Sequence, residues 1–270
     1  MLESSERERE LNKFIVEIEA TKFSTKGNES FAHNLRSKHP SPKPPQLMKK
    51  LIEFFSKEDE WILDPFMGVG GTLIGASLSN RNAVGIDLSD EFISIYKEVC
   101  KHEKIKEQIT IVGNSNNIEN FKKIHNKQFD LILTDPPYGD MMKRTKTGEA
   151  TKKRKNTKPT PFTNKTDDIG NLPLPLFLEE FKVIVEKNLK FLKNKRYLLV
   201  FTKDFQPKPE YHGMLHFDIV SKLNEIKGLY FKGYKIWHDK TINLYPYGYP
   251  YAYVGNQLHQ FILIFRKEIK

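Results

Sequence analysis

The stretch LILTDPPYGD, residues 131 to 140, sets an acid, two prolines, an aromatic ring and a glycine directly after a run of apolar residues. Leu131 to Leu133 have the character of the end of a buried strand, and Pro136 and Pro137 forbid further ladder hydrogen bonds. The chain must therefore leave a sheet at Asp135, carrying a carboxylate and the Tyr138 ring to the carboxyl end of that strand. In open α/β sheets ligands bind at that end. Taken alone, the stretch fits a stiff turn with a solvated acid equally well.

A second constellation lies upstream. DPFMGVGGT, Asp64 to Thr72, follows a short apolar run and brings Gly68, Gly70 and Gly71 into a tight turn ahead of a helix. Such a turn lets backbone approach a ligand closely and presents the free N–H groups of the helix start. The next apolar run ends at Asp87, where a carboxylate can accept two hydrogen bonds from ribose hydroxyls. Together these features predict an adenosine-containing cofactor. A glycine-rich turn with a downstream acid also describes NAD-binding enzymes, but the full G-x-G-x-x-G spacing is missing and Pro65-Phe66 precedes the glycines. This favours a cofactor without a pyrophosphate.

The remaining chemistry-bearing types are sparse. His39, His102 and His125 are isolated, and His212 and His216 have helical spacing without an acidic partner in frame, so no catalytic metal is expected. The lone Cys100 makes neither an internal disulfide nor a cysteine cluster and reads as a buried, inert thiol.

The formal charge of +10 over 270 residues fits a polyanionic partner. Much of it falls just after the opening motif: between Met141 and Lys165 lie Lys143, Arg144, Lys146, Lys152, Lys153, Arg154, Lys155, Lys158 and Lys165 against the single acid Glu149. Without apolar periodicity this stretch reads as a loop. Beside a ligand site it is positioned to grip phosphates. No stretch is long and apolar enough to span a bilayer, and the N-terminal MLESSERERELNKF lacks the apolar core of a secretory signal. A cytoplasmic protein without membrane attachment is expected.

These residues need a scaffold. Residues 1 to 20 carry Leu11, Phe14, Ile15 and Ile18 at helical spacing, and a turn-rich stretch follows whose prolines at 40, 42, 44 and 45 exclude regular structure. Gln46 to Phe55 then has one apolar helical face. From Trp61, strands are expected at 61 to 64, 82 to 87, 109 to 113, 130 to 134 and 196 to 202, with helices at 71 to 79, 90 to 103, 117 to 125 and 175 to 192. Alternation of this kind implies an α/β fold with a parallel sheet covered on both faces. The runs 228 to 237 and 259 to 267 have no long helix between them and should pair antiparallel at one edge.

DPFMGVGGT, Asp87 and TDPPYG resemble, in that order, the motifs of S-adenosylmethionine-dependent amino-methyltransferases that modify adenine N6 or cytosine N4 in DNA. The preceding HPSPKPPQLMKKLI, residues 39 to 52, is similar to the segment that in this family closes over the methionine end of the cofactor. The resemblance covers roughly Lys38 to Gly139. It implies a Rossmann-like class I methyltransferase fold, a mainly parallel seven-stranded sheet with an antiparallel edge hairpin. Residues 1–60 would form an N-terminal helix and cofactor-closing segment, and residues 61–270 the methyltransferase domain.

Carried across residue by residue, the resemblance implies that S-adenosylmethionine is held by Phe66, Gly68 and Gly70, with Asp64 and Thr72 flanking them and Lys43 and Pro44 in the closing segment. Asp87 would hold the ribose. Asn114 stands where the family places a polar group near the adenine, usually an acid, and also fits a simple strand-end turn.

The resemblance gives Asp135, Pro136, Pro137 and Tyr138 the catalytic role. An exocyclic base amine is a weak nucleophile because its lone pair is delocalised into the ring. If Asp135 accepts one N–H and the Pro136 carbonyl the other, the nitrogen can pyramidalise and aim its lone pair at the methyl group. Rigid acceptors also stabilise positive charge as it develops. The Tyr138 ring can stack on the base, worth about 1–3 kcal/mol in single-strand contacts.

A duplex target would have to be flipped out at a cost of about a few kcal/mol, which phosphate contacts from Lys143, Arg144, Lys152, Lys153, Arg154 and Lys155 can offset. DNA is thus the expected partner, with a cognate restriction endonuclease as a candidate second one. Residues 73 to 133 are ordinary strand–helix units with no room for a large recognition insert. Any recognition element must come from the basic loop at 140–172 or from a small region at 203–255, whose aromatic NLYPYGYPYAYVGNQLHQ can contact DNA or simply pack.

Three alternatives stand beside adenine N6. Cytosine N4 is one, although the DPPY form is commoner among adenine enzymes. TDPPYG also resembles enzymes that methylate guanine N2 in transfer RNA, which generally carry an N-terminal RNA-binding domain. A basic nucleic-acid-binding module without catalysis is the third.

Overall fold

The computed structural model describes residues 31–140, 162–205, 207, 211–238 and 259–269. The expected N-terminal helix, most of the basic loop and residues 239 to 258 lie outside them.

Seven strands form one sheet: β1 (Trp61–Asp64), β2 (Asn82–Asp87), β3 (Ile109–Val112), β4 (Phe129–Thr134), β5 (Leu192–Thr202), β6 (Leu229–Trp237) and β7 (Gln260–Lys267). Their order is β3-β2-β1-β4-β5-β7-β6. The first five run parallel, while β7 is antiparallel to both β5 and β6. The mainly parallel sheet with an antiparallel edge hairpin is therefore present. All six residues of β4 are buried, as expected of a central parallel strand covered on both faces.

Among the described residues, six α-helices complete the layers: α1 (His33–Arg36), α2 (Pro45–Phe55), α3 (Gly71–Leu78), α4 (Asp90–Glu103), α5 (Leu174–Leu189) and α6 (Leu215–Leu223). Pro44 caps α2 and Pro45 occupies its first turn, where a missing N–H costs nothing. Its apolar stripe, Leu47, Met48, Leu51 and Ile52, is buried in the same cluster as Ile62 of β1 and Leu131 of β4. Each such side chain contributes about 1.5–3 kcal/mol, so the segment before the first strand is fastened into the core. Asp130, the one acid within β4, is 1% exposed and paired with Lys193 at 2.8 Å and Arg196 at 3.1 Å, and it accepts the Trp61 N–H. This anchor ties β1, β4 and β5 at the amino end of the sheet, opposite the glycine turn.

The structure corrects the sequence reading in three places. Residues 117 to 125 are not an α-helix but a short 3-10 helix, Ser115–Asn120, with non-helical torsions at Asn117. Asn114 accepts the Asn116 N–H, and asparagine side chains that bond local backbone compete with helix extension. The proline-rich stretch does contain helix, the single turn α1, just upstream of its prolines. Helix α6 falls where only a recognition region was expected. Its buried Leu215, Ile219 and Leu223, four residues apart, were a readable signal.

Candidate active site

Asp64 ends β1 and the chain turns at once through the glycines into α3. Gly70 sits at φ +75°, and a Cβ there would come within 2.2 Å of the Tyr96 ring, so only glycine fits between the turn and α4. The turn is held by Asp87: its Oδ2 accepts the Gly68 N–H at 2.7 Å and its Oδ1 the Ser89 N–H at 2.8 Å. Each oxygen keeps a further lone pair. Burial raises the Asp87 carboxyl to about 6, although these two N–H groups work in the opposite direction. Burial raises Asp64 further, to about 7, against hydrogen bonds that include those from the Phe66 N–H and the Thr134 hydroxyl.

An open cleft lies along this edge of the sheet, at the carboxyl ends of β1, β2 and β4. Lys43, Asp64, Phe66, Gly68, Thr72, Asp87, Asn114, Asp135 and Pro137 all line it. Of the other residues singled out, Pro44 caps α2, Gly70 caps α3, and Pro136 is buried within the motif. Lys143, Arg144, Lys152, Lys153, Arg154 and Lys155 lie outside the described residues.

Asp135 leaves β4 with both oxygens engaged. Lys43 Nζ donates to Oδ2 at 2.5 Å and the Tyr138 hydroxyl to Oδ1 at 2.6 Å. Lys43 is 5% and Asp135 17% exposed at the side chain, so this is a largely desolvated ion pair. Burial, then the Asp135 charge, hold the Tyr138 phenol well above its ordinary range, which keeps it a neutral donor. The Lys43 side chain thus reaches the predicted catalytic acid, while its backbone stays with the cofactor turn: its carbonyl accepts Arg36 Nη2 at 2.5 Å and would lie 2.8 Å from a Cβ on Gly71.

Asn114 performs the turn role directly, capping the 3-10 helix while donating to Asp167 Oδ2 at 3.0 Å. Other residues of the cleft were not singled out as site residues from the sequence. His39 stacks edge-on against Phe92, with ring centroids 4.6 Å apart, and burial followed by the Lys43 and Arg36 charges holds its imidazole below the usual range. Thr163 and Asp168 return from the far side of the basic loop, the Thr163 hydroxyl donating to Asp168 Oδ2 at 2.7 Å. No group of three or more candidate metal ligands occurs among the described residues, and none of their helices is long and apolar enough to cross a membrane.

A family model described as DNA methylase matches residues 4–98, and one described as RNA cap guanine-N2 methyltransferase matches residues 59–164. The chain is 34% identical over 96 residues to a tRNA (guanine(10)-N2)-dimethyltransferase of Pyrococcus abyssi, covering 36% of this chain and 28% of that protein. It is 38% identical over 74 residues to the type II methyltransferase M2.LlaDCHI of Lactococcus lactis subsp. cremoris, covering 27% of this chain and 26% of that one. The matched part thus spans about a quarter of the length of these curated relatives.

Among solved structures, TrmN from Thermus thermophilus shares the fold at a TM-score of 0.56 and 12% identity, over 88% of this chain and 53% of that one. A class I S-adenosylmethionine-dependent methyltransferase of Listeria monocytogenes does so at 0.52 and 14%, over 99% and 76%.

The glycine turn closed against Tyr96, the Asp87 oxygens with lone pairs to spare, and an apolar floor that includes Phe92 and Met48 fit S-adenosylmethionine, the cofactor of this group. Fold, motifs and relatives together make the chain similar to S-adenosylmethionine-dependent amino-methyltransferases, the N6/N4 DNA methylases among them.

Proposed function

We propose that the chain methylates an exocyclic base amine in nucleic acid, with adenine N6 of DNA as the target. The observation that carries this reading is the Asp135-Pro136-Pro137-Tyr138 turn, whose acid lines the same cleft as Asp64, Gly68 and Asp87. S-adenosylmethionine supplies an electrophilic methyl group when bound. Asp87 holds the cofactor's ribose, and Phe66, Gly68, Gly70 and Thr72 shape its loop. Asp135 and the Pro136 carbonyl accept the two N–H groups of the target amine and so direct its lone pair. Rigid acceptors of this kind are worth roughly 10²–10³ in rate.

Since Lys43 and Tyr138 already donate to Asp135, the incoming amine either shares Oδ2 with the ammonium or displaces it. Tyr138 remains a neutral donor that fixes the carboxylate's orientation and offers its ring to the base. The division into a closing segment at 1–60 and a methyltransferase domain at 61–270 belongs to the same reading. So do the basic loop as phosphate clamp, a flipped target nucleotide, and a cytoplasmic setting.

The DNA reading is supported by the DNA-methylase match and the type II relatives. A second reading, guanine N2 in RNA, is favoured by the Pyrococcus relative and the match over residues 59–164. Cytosine N4 remains within the DNA reading.

Methyl transfer from labelled S-adenosylmethionine to mixed-sequence duplex DNA, single-stranded DNA and transfer RNA, followed by nucleoside analysis, separates them. N6-methyladenine that disappears with Asp135→Ala is the expected result. Label confined to N2-methylguanine would replace the first reading by the second.

A further inference from the structure

The sheet order divides its carboxyl edge in two. The cofactor turn lies over β1 and β2, on one side of Asp135, whereas β5, β7 and β6 lie on the other. The second side is open to a methyl acceptor that meets the donor at Asp135 without crossing the cofactor turn. Its surface is built from residues no motif accounts for.

Lys203 follows the end of β5 directly. That strand pairs with β4, which ends just before Asp135, on one side and with β7 on the other, and burial together with the nearby Lys43 charge lowers the Lys203 ammonium from its ordinary range. No ion pair of Lys203 occurs among the described residues, and the cation is half-buried. An uncompensated, partly desolvated cation is costly to keep, and an anion arriving at the site relieves that cost.

Beyond it lies a cluster of rings. His216 stacks on Phe261 with centroids 4.1 Å apart and planes 16° from parallel, and Tyr234 meets Phe261 edge-on at 5.3 Å. Asp204 fixes the histidine twice, accepting its backbone N–H at 3.1 Å and bonding Nδ1 at 2.8 Å. With Nδ1 facing a carboxylate, the ring's free edge is Nε2, which has no hydrogen bond among the described residues. Tyr234 is 48% exposed on the edge strand.

Thr134 pairs with Val200 and Thr202 with Phe261. Phe261, on which His216 stacks, therefore stands two strand spacings, about 10 Å, from the line of Asp135, and Tyr234 on β6 lies one spacing further out. The cluster is thus displaced from the acid along the direction a bound strand could follow.

We propose that Lys203, His216 and Tyr234 form a nucleotide subsite on the acceptor side of Asp135. Lys203 takes a backbone phosphate of the target strand, and the His216 and Tyr234 rings take an adjacent base. The subsite rests on the nucleic-acid reading above and adds to it the contacts that seat the strand. The shared chemistry is a phosphate followed by a base, in DNA or RNA.

Fluorescence anisotropy of labelled single-stranded DNA, duplex DNA and transfer RNA, with S-adenosylhomocysteine present, tests it on the full chain. Lys203→Met should weaken binding of the preferred polymer about tenfold and lower the log–log salt slope by about 0.7 for a single strand, while Lys203→Arg retains both. Tyr234→Ala, at an exposed position that folding does not require, should weaken binding about tenfold without changing the slope. His216→Phe, which keeps the stack, should bind more tightly than His216→Ala.

S-adenosylhomocysteine affinity, measured by calorimetry, should stay at the wild-type value throughout. Wild-type strand binding that survives both Lys203→Met and Tyr234→Ala would overturn the subsite and leave the nucleic-acid reading standing. Failure of the wild type to bind any of the three polymers would overturn both.

Discussion

The Lys43 ammonium stands 2.5 Å from Asp135 Oδ2, joining residues 92 positions apart in the chain. The segment that precedes the first strand is thereby fastened to the acid that ends the fourth. The same lysine's carbonyl rests over Gly71, so one residue touches both halves of the cleft.

Removing one partner of a largely desolvated pair leaves the other charge uncompensated, at a cost of about 3 kcal/mol. Lys43→Met should lower the thermal midpoint by roughly 5–10 °C. The double variant Lys43→Met with Asp135→Asn should recover much of that loss. Additive losses in a calorimetric double-mutant cycle would show that the two groups do not couple.

Asp135→Asn keeps the shape of the side chain but puts an N–H₂ where an acceptor is needed. Single-turnover methyl transfer should fall by roughly 10²–10³, while S-adenosylmethionine affinity changes less than about threefold because the cofactor's contacts lie elsewhere. An equal loss in both would move Asp135 from the chemical step to cofactor binding.

Gly70→Ala places a methyl group 2.2 Å from the Tyr96 ring at a φ of +75°. Both the clash and the left-handed backbone oppose it, and together they should cost more than about 2 kcal/mol. Urea unfolding would read the loss. Cofactor binding should fail even where the variant remains folded, since α4 and the turn must separate to admit the methyl group.

With Asp87 holding the ribose as proposed, cofactor binding acquires a defined pH dependence. Burial lifts its carboxyl to about 6, so it is ionised above that pH and protonated below it. Only the ionised group offers both oxygens as acceptors to ribose. Affinity should therefore be flat above about pH 7 and fall below pH 6 by up to about tenfold per unit. Asp87→Asn should bind more weakly with that dependence removed. Asp64 is lifted to about 7 by burial as well, and Asp64→Asn serves as the control that must retain the decline near pH 6.

Much of the scaffold was legible in the chain because its signals are local. Apolar runs of strand length alternate with helical periods, Gly68 to Gly71 break the first crossover, and Pro136-Pro137 end the fourth strand. The short 3-10 helix at Ser115–Asn120 was misread because asparagine side chains bond their own backbone and cancel a weak helical period. Helix α6 is short, and its apolar signal, Leu215, Ile219 and Leu223, is diluted by the prolines and aromatics around it.

By itself, the sequence determined the strand–helix alternation, the glycine turn, the two acids at strand ends and the rigid Asp-Pro-Pro-Tyr turn. Each depends on residues within a few positions of one another. Tertiary structure alone decided that Lys43 reaches Asp135, that His39 and Asp168 line the same cleft, and that Lys203 and His216 gather beyond β5. Those relations depend on strand order, which brings residues distant in sequence to one edge of the sheet and which no local spacing encodes.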